Sequence, residues 1–184
     1  FLPSNTRLVV VSAWRSRSQQ AELFERRVRR HLERDPVLPP ESARARARQY
    51  VADPDVFAPH VTGGALDVLL AGEDAALLDL GGGFTYDEAA ATDYPNLNAQ
   101  QAENRATLTR AMTTAGFVNY PLEWWHWSYG EKYWACVTGN AAIYDAVSEP
   151  RGWRRRLRAV LGRWRRRLAR AAAGSCSSRW TRTP

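Results

Sequence analysis

The sequence predicts an α+β fold, a small and mainly antiparallel sheet packed by helices. Three observations point there. Strand-like and helix-like segments are mixed without a regular βα alternation, which argues against a parallel doubly wound sheet. Late in the chain, two β-rich segments flank Gly130-Glu131 and read as a hairpin, Trp125 to Tyr129 with Tyr133 to Val137. The chain has 184 residues, 45% of them hydrophobic, and no internal repeat, enough for one domain with a substantial core.

Taken in order, Leu8-Val9-Val10-Val11 is a β-branched run and predicts a buried strand. Ser16 with Gln19 three residues on predicts a capping box. Ala21, Phe24, Val28 and Leu32 then give the helix its apolar face, and Asp35-Pro36 ends it. His31 lies beside that stripe on a charged helix and reads as a structural or solvated histidine. Pro39-Pro40-Glu41 restarts a helix running through Tyr50, since proline and an acid both suit a first turn. A loop leads to Pro59-His60, and after Gly63-Gly64 the run Ala65 to Leu70 reads as a strand. Asp67 is anomalous there, because aspartate is depleted in strands and a buried unpaired carboxylate is costly. Residues 86–96 have no strong period and read as a loop. Asn98 with Gln101 opens another helix, with Gly116 placed to cap its end. Phe117-Val118-Asn119 begins a strand that Pro121 breaks.

Charge divides the chain. Residues 151–184 hold twelve arginines and no acid, so the net +7 leaves about −5 on residues 1–150. A mildly acidic domain (1–149) with a basic Arg/Trp-rich tail (150–184) is expected, which argues against a nucleic-acid-binding core. Only two cysteines occur, Cys136 in a predicted strand and Cys176 in the tail, neither in a CxxC pair. Thiolate zinc fingers and a disulfide framework are therefore unsupported, and a metal would need His and carboxylate ligands. No run of about 18 apolar residues spans a membrane.

The stretch Glu123-Trp124-Trp125-His126-Trp127 holds one of only three histidines. Alone, its Glu and His could be core filler, a helix-surface pair or half of a metal site. His60 and Asp67 upstream add a second imidazole and a carboxylate, the donor types of a catalytic zinc with an open position for water. Glycines between them let both reach one ion, and coordination would account for Asp67 in an apolar strand. Residues three apart on a strand point to opposite faces, so Glu123 is expected just before the strand, displaced by Pro121. There it could act on a zinc-bound water as general base and then serve the leaving amine as acid. Arg15 could supply charge to a developing oxyanion. Residue types and spacing alone reach a possible zinc hydrolase.

The order of the pieces adds to this. SAWRS, then PHVTGGALD, then EWWHWSYG resembles the D-alanyl-D-alanine dipeptidase family, zinc peptidases related to D,D-carboxypeptidases and, in fold, to the Hedgehog domain. The resemblance covers about residues 7–148. It implies one zinc per chain on His60, Asp67 and His126, Glu123 as general base and acid, and Arg15 as transition-state stabiliser. The implied reaction is hydrolysis of D-Ala-D-Ala to two D-alanines, affecting the pool used for peptidoglycan precursors. Asp87 and Trp125 are the expected substrate contacts, Asp87 for the ammonium and Trp125 as a wall; the other tryptophans are expected in the core. Many relatives have serine where Ala58 stands and aspartate where Thr85 stands. These leave open a D,D-carboxypeptidase or endopeptidase on cell-wall peptides; a zinc-containing Hedgehog-like binding domain without turnover is the other alternative, and Glu123 and Arg15 speak against it. The family has more chain before its arginine than the fourteen residues here, so a missing N-terminal section is expected.

In the tail, Trp153, Leu157, Leu161, Trp164 and Leu168 fall at helical spacing among arginines. This is the pattern of a basic amphipathic helix on an anionic membrane surface or acidic partner, beside the plainer reading of an extension without a role. No export signal is visible, and the cytoplasm is the expected compartment, with the cell envelope as the alternative.

Overall fold

A computed structural model describes residues 2–84 and 88–148. Among these, the elements are β1 (Arg7–Ser12), α1 (Arg17–Arg34), α2 (Pro40–Arg48), α3 (Pro59–Thr62), β2 (Ala65–Ala71), α4 (Ala99–Thr114), β3 (Val118–Tyr120), β4 (Glu123–Ser128) and α5 (Lys132–Thr138). The strands form one sheet in the order β1-β2-β4-β3 with every described pair antiparallel. The α+β class and the antiparallel sheet are as the sequence predicts. The basic tail and the division at residue 149 lie outside the described residues.

The predicted capping box at Ser16 forms, and the predicted helix start at Asn98 is a second one. Ser16 Oγ accepts from the Gln19 backbone at 3.1 Å, and Gln19 returns a bond to the Ser16 backbone. Asn98 and Gln101 do the same at the start of α4. Each box satisfies two N–H groups that a helix start would leave without partners. Phe24 and Val28 of α1 bury against Leu38, Ala43, Ala47 and Val51, so α1 and α2 share a small core. A second core lies on the sheet and α4, built from Val68, Leu70, Leu80, Leu108, Met112, Trp124, Trp125 and Trp127.

Four expectations need correction. The run from Leu8 to Val11 is a strand but not a buried one: Val10 is 53% exposed and Val11 50%. Among the described residues it pairs with β2 alone, at the edge of the sheet. His60 stands on the short helix α3 rather than in a loop, with Pro59 in its first turn and Gly63 closing it at φ +79°. Tyr133 to Val137 belongs to α5, not to a hairpin strand, and Cys136 is exposed on it. Both carboxylate oxygens of Glu131 accept from backbone N–H groups, those of Tyr133 and Trp134. That cap overrides the β-propensity of the Tyr, Trp and Val that follow. Finally, Glu123 does not precede β4 but begins it.

The position of Glu123 depends on the register of β3 and β4. Asn119 opposes Trp127, whereas the next residue, Tyr120, opposes Glu123. One step along β3 thus answers four along β4, so Trp124, Trp125 and His126 form a bulge. A regular strand would send Glu123 and His126 to opposite faces. The bulge cancels that alternation and brings the two side chains together.

Candidate metal and catalytic site

Three elements deliver the site. β2 carries Asp67, β4 carries Glu123 and His126, and α3 presents His60. Asp67 lies directly opposite His126 in the β2–β4 ladder. Gly64 lets α3 turn this tightly into β2, because a Cβ there would stand 2.6 Å from the Tyr129 carbonyl. Arg15 follows β1, and its backbone N–H donates to the His60 carbonyl at 3.0 Å, tying the two segments.

His60, Asp67 and His126 are all buried, and one ligand atom from each lies within 4.8 Å of the others. His60 Nε2 stands 3.2 Å and His126 Nδ1 3.1 Å from the same oxygen, Oδ1 of Asp67. The imidazole rings meet edge to face with centroids 4.9 Å apart. His60 Nδ1 lies 2.7 Å from the Ala13 carbonyl. A carbonyl only accepts, so Nδ1 carries the proton and a neutral His60 turns its Nε2 lone pair toward the carboxylate. Burial lowers the His60 pKa and favours that neutral form, against the pull of Asp67. A lone pair facing an anionic oxygen at 3.2 Å is repulsive unless a cation lies between them. This donor set therefore fits a divalent metal, with the Ala13 carbonyl fixing the tautomer from behind.

Asp67 is held well below the usual carboxylate range. Burial opposes its ionisation, but the His126 ring first, and the positive charge available from both imidazoles, outweigh it. Its other oxygen, Oδ2, accepts from Arg15. Arg15 is further fixed by Ser12 Oγ at 2.9 Å and Gln20 Oε1 at 3.4 Å. Glu123 lies outside the three-residue group, with Oε2 4.0 Å from His126 Nδ1. Burial pushes its carboxyl up to about 7; Asp67 adds to the rise, while His126 and Arg15 oppose it.

Arg15, Gln20, His60, Asp67, Glu123 and His126 line one cavity of about 370 Å³, together with Trp125, Phe84, Tyr120 and Tyr133. Trp125 is 2% exposed and packs on Phe84, with centroids 5.0 Å apart. Trp124 and Trp127 are in the core, as expected, with Trp127 Nε1 donating to the Trp124 carbonyl. The sequence-predicted Arg15, His60, Asp67, Glu123, Trp125 and His126 are thus brought together. Asp87 lies outside the described residues. Sequence reasoning missed Tyr120, Tyr133 and Phe84 as cavity walls; the only hint was that Tyr120 immediately precedes the Pro121 break.

A family model described as Peptidase_M15, D-ala-D-ala dipeptidase, matches residues 4–144. A D-alanyl-D-alanine dipeptidase of Synechocystis sp. is 37% identical over 91 residues, covering 42% of this chain and 36% of the relative. That of Escherichia coli K12 is 38% identical over 79 residues, covering 42% and 41%. These alignments span about two fifths of the length of the curated relatives. Two solved structures share 18% identity and cover 75% of this chain. One is a glutamate-to-alanine variant of the vancomycin-resistance D,D-pentapeptidase VanY with Zn(II), covered to 70% with a TM-score of 0.45. The other is VanYB with D-alanine-D-alanine, covered to 69% with a TM-score of 0.46.

Proposed function

This chain belongs to the D-ala-D-ala dipeptidase family, and on that premise we propose that it is a zinc peptidase hydrolysing D-Ala-D-Ala to two D-alanines. The observation that carries the reading is the facing of His60 Nε2 and His126 Nδ1 across one oxygen of Asp67, with Glu123 beside the group but outside it. His60, Asp67 and His126 would hold the ion, two neutral imidazoles and one carboxylate. Zinc bound there supplies a Lewis acid and lowers the pKa of water at its open position.

The chain's own residues do the remaining work. Glu123, buried beside the group and outside it, is placed both to accept a proton from the attacking water and to return it to the leaving amine. Arg15 is pre-oriented by Ser12, Gln20 and Asp67 and lines the cavity. Its fixed charge stabilises the scissile carbonyl oxygen as negative charge develops there, at no reorganisation cost during the reaction. Trp125 and Phe84 wall the pocket and exclude water around the reacting bond.

A second reading, trimming of longer cell-wall peptides, is favoured by one observation. The cavity runs past the site to Leu23, Arg48, Tyr50, Val51 and Val56, offering room beyond the reacting bond. The test is D-alanine release by zinc-loaded protein from free D-Ala-D-Ala beside a longer peptide ending in D-Ala-D-Ala. Faster hydrolysis of the free dipeptide supports the first reading. Release from the longer peptide alone makes the protein a carboxypeptidase. Zinc uptake with neither activity makes it a binding domain. For residues 151–184, with twelve arginines and no acid, the proposed partner is an anionic membrane surface. Salt-sensitive vesicle binding that disappears on deleting them is the expected result, and no binding at low salt removes the proposal.

A further inference from the structure

We infer that Asn119 is a positioning residue, whose side-chain amide sets the distance between the base Glu123 and the ligand His126. The inference rests on the zinc-peptidase reading and extends it to a residue outside the lining of the cavity. The site depends on the bulge in β4, since only the bulge puts Glu123 and His126 on one side. Bulges leave backbone groups without ladder partners, and buried carbonyls must find donors elsewhere.

Asn119, on the facing strand, supplies them. Its Nδ2 lies 3.1 Å from the Glu123 carbonyl and 3.0 Å from the His126 carbonyl, with the Trp124 carbonyl at 3.5 Å. One amide group therefore spans the bulge, from the paired residue just before it to its last residue. Because carbonyls only accept, the end facing them must be the NH₂, which fixes the orientation of the amide. The other end, Oδ1, accepts from the Thr92 hydroxyl. The Thr92 backbone N–H donates to the Pro121 carbonyl at 2.9 Å, so the same loop also holds the turn between β3 and β4. Tyr133 completes the arrangement by donating its hydroxyl to the Asn119 carbonyl at 3.0 Å. Without the NH₂ the bulge is free to relax toward regular pairing, which turns Glu123 and His126 apart.

The test uses the full chain in four forms: wild type, Asn119→Ala, Thr92→Val and Val28→Ala. Zinc affinity is read by competition with a chromophoric chelator, alongside kcat and KM for D-Ala-D-Ala and the thermal midpoint of the metal-free protein. Asn119→Ala is expected to weaken zinc about tenfold or more and to lower kcat by about 10–100-fold, with KM within about threefold. Val28→Ala, in the α1–α2 core, should lower the midpoint while leaving zinc affinity and kcat within about twofold, which separates positioning from general loss of stability. Thr92→Val should weaken zinc several-fold and carries the test if Asn119→Ala does not fold. A folded Asn119→Ala, or failing that Thr92→Val, with zinc affinity and kcat within twofold of wild type overturns the inference. If the wild type binds zinc, Asn119→Ala weakens it and neither form cleaves the dipeptide, the positioning role stands and the dipeptidase reading falls. A wild type that takes up no zinc overturns both.

Discussion

Replacing Arg105 by methionine should cost more stability than any surface change, and the structure gives the size. Arg105 is 5% exposed, and its guanidinium meets a set of backbone carbonyls. It donates to those of Leu80, Gly81, Ala89 and Ala91 at 2.5–2.7 Å and to that of Thr92 at 3.3 Å. It also lies over the Trp124 ring, 5.2 Å from the centroid. Burial lowers its pKa to about 10, so it stays charged at neutral pH. Hydrogen bonds from a charged donor contribute about 1.5–3 kcal/mol each, so five would exceed about 7 kcal/mol if simply added. Removing the charge also removes its desolvation penalty, several kcal/mol, which leaves a net loss of about 3–5 kcal/mol. For a chain of this size the midpoint should fall by roughly 6–20 °C. Arg105→Lys, which keeps the charge but not the fork, should fall between the two. Thermal and urea unfolding measure the loss, and amide exchange should show residues 80–84 and 88–92 losing protection first. Arg105→Met within about 1 kcal/mol of wild type, or Arg105→Lys equal to it, would refute the idea that the fork organises this loop.

Two further outcomes follow from the site. In metal-free protein, Glu123 has a folded-state pKa near 7 against an ordinary 4.5. Between those values the native state binds the extra proton, so this group's contribution is full below about pH 4.5 and is lost as pH rises through 7. The change is up to about 3 kcal/mol. Subtracting the stability profile of Glu123→Gln isolates it, because the depressed His60 pKa acts in an overlapping window with the opposite sign; a flat difference would contradict the shift. Arg15→Ala should lower turnover about 10²–10³-fold through the lost oxyanion contact, and an unchanged rate would remove that role.

Much of the site was legible in the sequence because its chemistry is rare there. His60 and His126 are two of only three histidines, and Asp67 stands out in an apolar strand. The capping boxes at Ser16 and Asn98 were legible because they are local, satisfied within four residues. What escaped depends on contacts distant in sequence. The exposure of β1 follows from its place at the sheet edge, which its valines do not encode. The α5 helix is hidden because Tyr133 and Trp134 carry β-propensity, while the deciding residue, Glu131, follows a glycine in what looks locally like a turn. The bulge could not be foreseen either. It exists in the register against β3, and its supports, Asn119 and Thr92, look like ordinary strand and loop residues in sequence.

The most direct measurement of the central claim is zinc content and D-alanine release for wild type and Glu123→Ala, side by side. The geometry, with Glu123 beside His60, Asp67 and His126 but outside their shared grouping, predicts one zinc per chain in both proteins. It predicts hydrolysis of D-Ala-D-Ala by the wild type alone. Activity surviving in Glu123→Ala would contradict the assignment of Glu123 as the base, and loss of zinc from that variant would make it a ligand instead.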